Sequence, residues 1–335
     1  MTSTRPLAYL SGIGLLTAGA VTARLISSRA PGVDELLLAI VVGVVVTNTV
    51  RIPDRYAPGV RTHKVWLGAG IVLMGASLSL STIVQNGPVL VFSVVGVTGF
   101  TLVVVEALSR FPFNIADRLA SLLAAGASIC GVSAVVAVGG SINADEEHLA
   151  YAAATVLLFD AVTLFVYPAV GRLLDLSAQV FGIWAGLSMF STGPVVAVGF
   201  AYSDAAGQWA TVTKLTRNAL IGVVAVGYAV YYTRQRLDSG GRGVRWRELW
   251  DRFPKFVVGF VLLTVVAAVG LLSPDQQQSI ENAYGWLFRL AFVGLGTEME
   301  LRKLKCAGVR PVLVVFVTFV TVSVSSLLVL RAFFG

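Results

Sequence analysis

Apolar runs long enough to cross hydrocarbon as helices recur along the whole chain, separated by short polar joints. About 20 such residues are needed per crossing. Eleven stretches qualify, at 8-27, 34-50, 65-84, 89-108, 116-140, 148-174, 176-202, 209-232, 254-272, 279-298 and 311-334. The first has an alternative reading, because Arg5, the apolar run and the triplet Ala18-Gly19-Ala20 together resemble a cleaved signal segment. The pattern predicts an all-α polytopic membrane protein of about 11 transmembrane helices, in one transport domain covering 1-335.

Charge sets the direction. With a cytoplasmic N-terminus, the inside segments hold nineteen Lys and Arg, among them Arg51, Arg55, Arg61, Lys64, Arg110, Arg118, Arg172, Arg302 and Arg310. The outside segments hold only Arg24, Arg29 and Arg331. This asymmetry predicts a multi-pass protein of the cell membrane with its N-terminus in the cytoplasm and its C-terminus outside. Residues 233-253, "TRQRLDSGGRGVRWRELWDRF", form a cytoplasmic basic loop whose Ser-Gly-Gly centre reads as flexible and whose cations suit anionic headgroups.

Composition agrees: 56% of residues are hydrophobic, 13% are charged, and the mean hydropathy is +0.82. A water-soluble domain is excluded. The net charge of +7 is spread over separate loops, so the partner it implies is the lipid bilayer and not nucleic acid. Two cysteines, Cys130 and Cys306, make neither a disulfide framework nor a metal site. His63 and His148 fall in predicted loops and read as solvated.

Several spans are interrupted. Span five contains "GASICGVSAVVAVGG", where Ser128, Cys130, Gly131 and Ser133 break the apolar pattern; this suits either local unwinding around a cavity or a close helix contact. Span seven carries Ser188, Ser191, Thr192, Gly193 and Pro194, and the proline favours a kink or a break. Span ten places Gly294, Gly296 and Thr297 beside Glu298. Residues 75-87 and 296-308 share a Gly/Leu spacing at the ends of spans three and ten, which run in opposite directions, as inverted repeats of transporters do. A five-plus-five repeat with one extra N-terminal helix is the other pairing, and makes spans five and ten equivalent. The pentapeptide "VVAVG" at 135-139 and 195-199 fits neither inversion and reads as coincidence.

Charges inside the spans carry the chemistry. Lys214 and Arg217 share one face of span eight, roughly 7 and 12 Å below Trp209, and Arg217 lies too deep to reach the surface. A cation at that depth costs about 2.5–3.5 kcal/mol to insert, so it should face the bundle interior. Asp160 and Arg289 are the other deep charges, with Glu106 and Glu298 near inner span ends. The count leaves a positive excess that suits a small anion, while Asp160 paired with Arg217 or Arg289 is the structural alternative.

Taken in order, Ser128–Ala134 ("SICGVSA"), Ala150–Ala152 ("AYA"), Gly182–Gly186 ("GIWAG"), Lys214–Arg217 ("KLTR"), Pro254–Phe260 ("PKFVVGF") and the Gly296–Gly308 stretch resemble the YeiH-like family, whose members carry a sulfate-exporter name. The resemblance covers roughly residues 34 to 315. It implies an inverted-repeat fold similar to the bile-acid symporters and cation/proton antiporters, with discontinuous helices crossing at the midplane, and favours spans five and ten as the crossing pair. One departure stands out. After "GIWAG" the family carries a His and an acidic residue, whereas this chain reads "LSMFST", which removes that pair from any role here.

These readings converge on a secondary transporter, an exporter by the resemblance, that moves a small anion such as sulfate or a sulfonate by alternating access. Lys214 and Arg217 would supply charge. Ser128, Cys130, Gly131, Ser133, Ser188, Ser191, Thr192, Gly296 and Thr297 would line the site, and Asp160, Arg289 and Glu298 would serve as ion pairs or coupling groups. No cofactor or metal is expected, the coupling ion would be H+ or Na+, and an oligomer is compatible with the sequence. The alternatives are a cation/proton antiporter using Asp160 or Glu298, and an intramembrane enzyme acting on lipid-linked substrates. The second lacks a clustered catalytic set or metal-ligand spacing, and no phosphate-binding Gly-rich loop points to ATP.

Overall fold

The computed structural model describes residues 4–29, 34–50, 52–53, 55–77, 80–235, 255–304 and 308–334. Nearly all of the predicted 233-253 loop, and Cys306, lie outside the described residues. Among the described residues the regular structure is entirely helical. Stretches such as "AIVVGVVV" are rich in β-branched residues that weaken a helix in water, but in hydrocarbon every N–H and C=O must be paired within the segment, which leaves the helix as the available form. Polar caps set the ends. Asp34 accepts from the N–H groups of Leu36 and Leu37, both at 2.9 Å, and Ser273 forms a reciprocal cap with Gln276 ahead of Pro274.

The chain divides into two compact units. The first contains α1 (Thr4–Arg29), α2 (Glu35–Thr49), the short α3 (Ala57–Val60), α4 (His63–Met74) with a 3-10 turn at Gly75–Ser77, α13 (Lys255–Ala268) and α14 (Pro274–Glu298). Here α2 and α14 pack backbone to backbone. A methyl group on Gly43 would lie 2.9 Å from Gly296 Cα, and one on Gly296 would lie 3.0 Å from Gly43 Cα. The predicted tenth span is therefore a continuous helix, not an interrupted one. Its glycines permit close packing, and Thr297 turns its hydroxyl back to Gly294 O at 2.6 Å.

The second unit holds α5 (Leu80–Arg110, from Gly87 onward), α6 (Asp117–Ser128), α7 (Val132–Ile142), α8 (Glu146–Leu173), α9 (Ala178–Ser188), α10 (Thr192–Tyr202, up to Gly199), α11 (Asp204–Asn218, from Ala205), α12 (Ile221–Gln235) and α16 (Val309–Phe334). The four-residue α15 (Leu301–Leu304) joins α14 to the segment before α16. Among the described residues, four helical segments are individually long and apolar enough to cross a membrane: Tyr9–Arg29, Gly87–Arg110, Glu146–Leu173 and Val309–Ala332.

The largest departure from expectation concerns spans five and seven. A straight helix would hold Leu122 and Gly139 about 25 Å apart. Instead a methyl on Gly139 would sit 3.4 Å from Leu122 Cδ2, one on Gly126 would sit 2.9 Å from Val135 Cγ2, and Arg118 Nη1 donates to Asn143 O at 2.9 Å. These pairs march inward from the open end, so α6 and α7 form an antiparallel hairpin whose tip is Ile129–Gly131. The second run behaves alike. Gly182 on α9 and Gly199 on α10 both abut the Ala206–Ala210 turn of α11, which only a fold at Met189–Ser191 allows.

The two hairpins point toward each other. Leu149 of α8 lies against Gly139 near the open end of the first hairpin, and Val156 lies against Gly126 and Gly131 at its tip. From there α8 continues to Leu173, roughly 25 Å farther, before α9 begins. The second hairpin therefore enters from the end opposite to the first. Two of the eleven predicted spans fold back on themselves as hairpins. With halves of 12, 11, 11 and 11 residues, each reaches about 16–18 Å, near half of a 30 Å core.

This topology reveals the internal repeat. At an offset of 60 residues, positions 125, 126, 128 and 135–139 are identical to 185, 186, 188 and 195–199. Each copy is a hairpin followed by a long helix, α8 in one and α11–α12 in the other. The two hairpins enter from opposite ends of α8, so the second copy is inverted relative to the first. The "VVAVG" match, read above as coincidence, belongs to this repeat, which relates spans five and seven.

Candidate functional site

Both hairpins turn where the helical ladder runs out. At the first tip Gly131 has φ +68° and ψ −134°, a backbone region that side chains rarely adopt. A methyl there would also overlap Ser191 Oγ and lie 3.1 Å from Ser191 Cβ, so the tips touch. Each turn leaves the last carbonyls of α6 and α9 without helical partners and exposes the first N–H groups of α7 and α10.

Lys214 and Arg217, on α11, answer the first need. Both are 0% exposed. Lys214 Nζ donates to Ile129 O at 2.6 Å and to Met189 O at 3.0 Å, one carbonyl from each tip. Arg217 donates Nε to Ser128 O, Nη2 to Ala127 O at 2.5 Å, and Nη1 to Met189 O at 2.8 Å and Gly186 O at 3.4 Å. Two cations thus span the C-terminal ends of both first half-helices, where the macrodipole is negative. The expectation that they line an open hollow and meet the anion directly is corrected: four of Arg217's five N–H groups are already committed to backbone oxygens.

Asp160 answers the second need. It is 1% exposed on α8, and its Oδ1 accepts from Ser191 N–H at 3.0 Å at the start of α10, where a helix end is positive. Asn218 Nδ2 donates to Thr192 Oγ1 at 3.0 Å. With each half-helix end worth about half a charge, two cations and one carboxylate leave the tips with about one unit of positive charge in excess.

The predicted site residues separate into three groups. Ser133 is exposed, and Ser191 and Thr192 are half-buried, all in the first turns of the returning half-helices. Ser128, Cys130 and Ser188 are buried. The Ser128 hydroxyl faces Ala125 O at 3.4 Å, and Ser188 donates to Trp184 O at 2.5 Å while accepting from Tyr167 at 2.7 Å, so neither hydroxyl is offered to a ligand. Gly296, Thr297, Arg289 and Glu298 belong to the other unit. Arg289, one of the two cations offered to Asp160 in the structural alternative, grips Glu35 through Nε at 2.7 Å and Nη2 at 3.0 Å. Glu298 lies 2.8 Å from Lys64 and 3.5 Å from His63, and His63 is 2% exposed, which corrects its reading as a solvated loop residue. Glu106 is held by Arg110 at 2.6 Å and Ser121 at 2.7 Å, in a cluster with Tyr232 at the base of the first hairpin.

Sequence reasoning missed Asn218 and the tip carbonyls. A polar residue directly after Arg217, at the α11–α12 joint, was the available signal for the first. Backbone acceptors leave no residue-type signal at all.

The described residues are helical, with four helices long and apolar enough to cross a membrane, which is the pattern of a multi-pass membrane protein. The profile of the family described as Conserved hypothetical protein 698 matches residues 11–315, and the chain belongs to that family. A UPF0324 membrane protein of Nitratidesulfovibrio vulgaris is 32% identical over 280 residues, covering 82% of this chain and 77% of that one. A UPF0324 membrane protein of Agrobacterium fabrum is 29% identical over 293 residues, covering 87% and 82%. One of Rhodopirellula baltica is 31% identical over 287 residues; there the match takes in 82% of this chain but 53% of the relative, so the chain spans about half the length of some curated relatives. No solved structure matches the chain.

Proposed function

We propose that the protein is a secondary transporter that moves a small anion, such as sulfate or a sulfonate, by alternating access. The observation that carries this reading is the meeting of two inverted hairpin tips, whose accessible first turns offer donors while buried cations stand behind them. The anion would take N–H groups of α7's first turn and the hydroxyls of Ser133, Ser191 and Thr192. Lys214 and Arg217 act through the field and not by contact. Asp160 would balance the α10 end when the site is empty and take up a proton when it is filled.

Positive-inside asymmetry supports a first hairpin entering from the cytoplasm and a second from outside. Replacing two crossings by hairpins leaves the proposed sides of both termini unchanged and moves Arg172 outward. In the antiporter alternative Asp160 or Glu298 would carry the coupling; Glu298 lies 2.8 Å from Lys64. Against it stands the positive excess at the tips. Neither the family description nor the relatives' names assign a catalysed reaction.

Uptake of labelled sulfate by proteoliposomes tests the proposal. Saturable flux is expected, and Ser133→Ala should weaken it about 10-fold, the worth of one hydrogen bond to a charged ligand. No flux of sulfate, methanesulfonate or chloride above protein-free vesicles would defeat it.

A further inference from the structure

In transporters built on interrupted helices, the unwound carbonyls at half-helix C-termini are where a coupling sodium ion is held. This chain makes such a cage twice over, with Ala127, Ser128 and Ile129 at one tip and Gly186 and Met189 at the other. Its occupants are covalently attached. Lys214 Nζ bridges the two tips through Ile129 O and Met189 O, and the Arg217 guanidinium fills the remainder. Both arrive from α11 and are fully buried.

We propose that Lys214 and Arg217 are tethered replacements for a coupling sodium ion: the tips form a monovalent-cation cage whose charge is built into the chain, so the protein neither binds sodium there nor needs it for transport. Several observations favour this. A sodium ion entering the occupied cage would meet two fixed cations within a few ångströms of the same oxygens, a repulsion of several kcal/mol even at an effective dielectric constant of about 20. Met189 O already accepts from both side chains, and no third charge is called for. The same tether explains why the cations sit on α11: one element then locks both tips, whichever side the site faces. Sodium independence of flux rests on the transporter reading, whereas the cage itself does not.

The test uses the purified full-length chain. Thermal unfolding of the unsubstituted protein should occur at the same temperature in sodium, potassium and choline chloride of equal ionic strength, and a sodium-specific rise would overturn the proposal. Lys214→Ala vacates Ile129 O and Met189 O. Sodium or methylammonium at saturating concentration should then raise its unfolding temperature by roughly 2–4 °C over choline, which is too large to enter. A Lys214→Ala protein that responds to neither cation overturns the cage. Should that variant not fold, the unsubstituted protein still decides the matter. Because no anion is present, failure here is distinct from failure of the anion-transport reading, which only the sulfate flux reports; where flux exists, exchanging sodium for choline should leave it unchanged.

Discussion

Replacing Arg217 by Met keeps much of the side chain's apolar length and removes its donors, which isolates the role assigned to the guanidinium. Ala127 O, Ser128 O and Gly186 O lose the donor that Arg217 supplies, while Met189 O keeps Lys214. An orphaned buried acceptor costs about 1–3 kcal/mol, so three of them amount to roughly 3–9 kcal/mol, comparable to the entire stability of many domains. At about 2–4 °C per kcal/mol, the unfolding temperature should fall by at least roughly 6 °C, and the variant should lose much of its monodisperse material. Arg217→Lys should recover part of the loss, because a single ammonium reaches fewer of these oxygens than the planar fork. Thermal unfolding followed by size-exclusion chromatography reads both. A purely ligand-binding arginine predicts a folded variant without flux. An Arg217→Met protein that is monodisperse and unfolds within about 2 °C of the parent would refute the structural role.

Two other substitutions probe neighbouring claims. Gly131→Ala should destabilise the tip by roughly 1–3 kcal/mol through backbone strain alone, with additional loss from its collision with Ser191, and unfolding temperature and sulfate flux should drop together. Glu35→Gln breaks the bidentate grip on Arg289, where both side chains are about one-fifth exposed; roughly 1–2 kcal/mol of stability should go while sulfate affinity stays unchanged.

The membrane class, the positions of the apolar runs and the two deep cations on one helix face were legible because hydropathy and charge report them directly. The hairpins were not. A run of 25 apolar residues is long enough to cross, and the same length folded in half reaches only the midplane; the sequence difference between them is confined to a few residues at the turn. Those residues interrupt the apolar pattern of spans five and seven. The repeated "VVAVG" marks the relation between them, but two straight crossings separated by one other would run in the same direction, which no inversion allows. Folding each run back restores the inversion. Span ten misled in the opposite sense, since Gly294 and Gly296 look like a break and serve instead to admit His63 and the α2 backbone. At the site, Ser133 is exposed and Ser191 and Thr192 are half-buried. The roles of Lys214 and Arg217 changed because their partners are carbonyls, to which any residue contributes equally.

Cysteine accessibility decides the central claim of two opposed hairpins, because the two topologies assign opposite sides to the same residues. In a background lacking Cys130 and Cys306, Glu146→Cys lies at the open end of the first hairpin and Asp175→Cys lies just before the second, and both positions are exposed. A membrane-impermeant maleimide should label Glu146→Cys only from the cytoplasmic side and Asp175→Cys only from outside. Labelling of Glu146→Cys from outside and Asp175→Cys from the cytoplasm, as straight crossings require, would contradict the account.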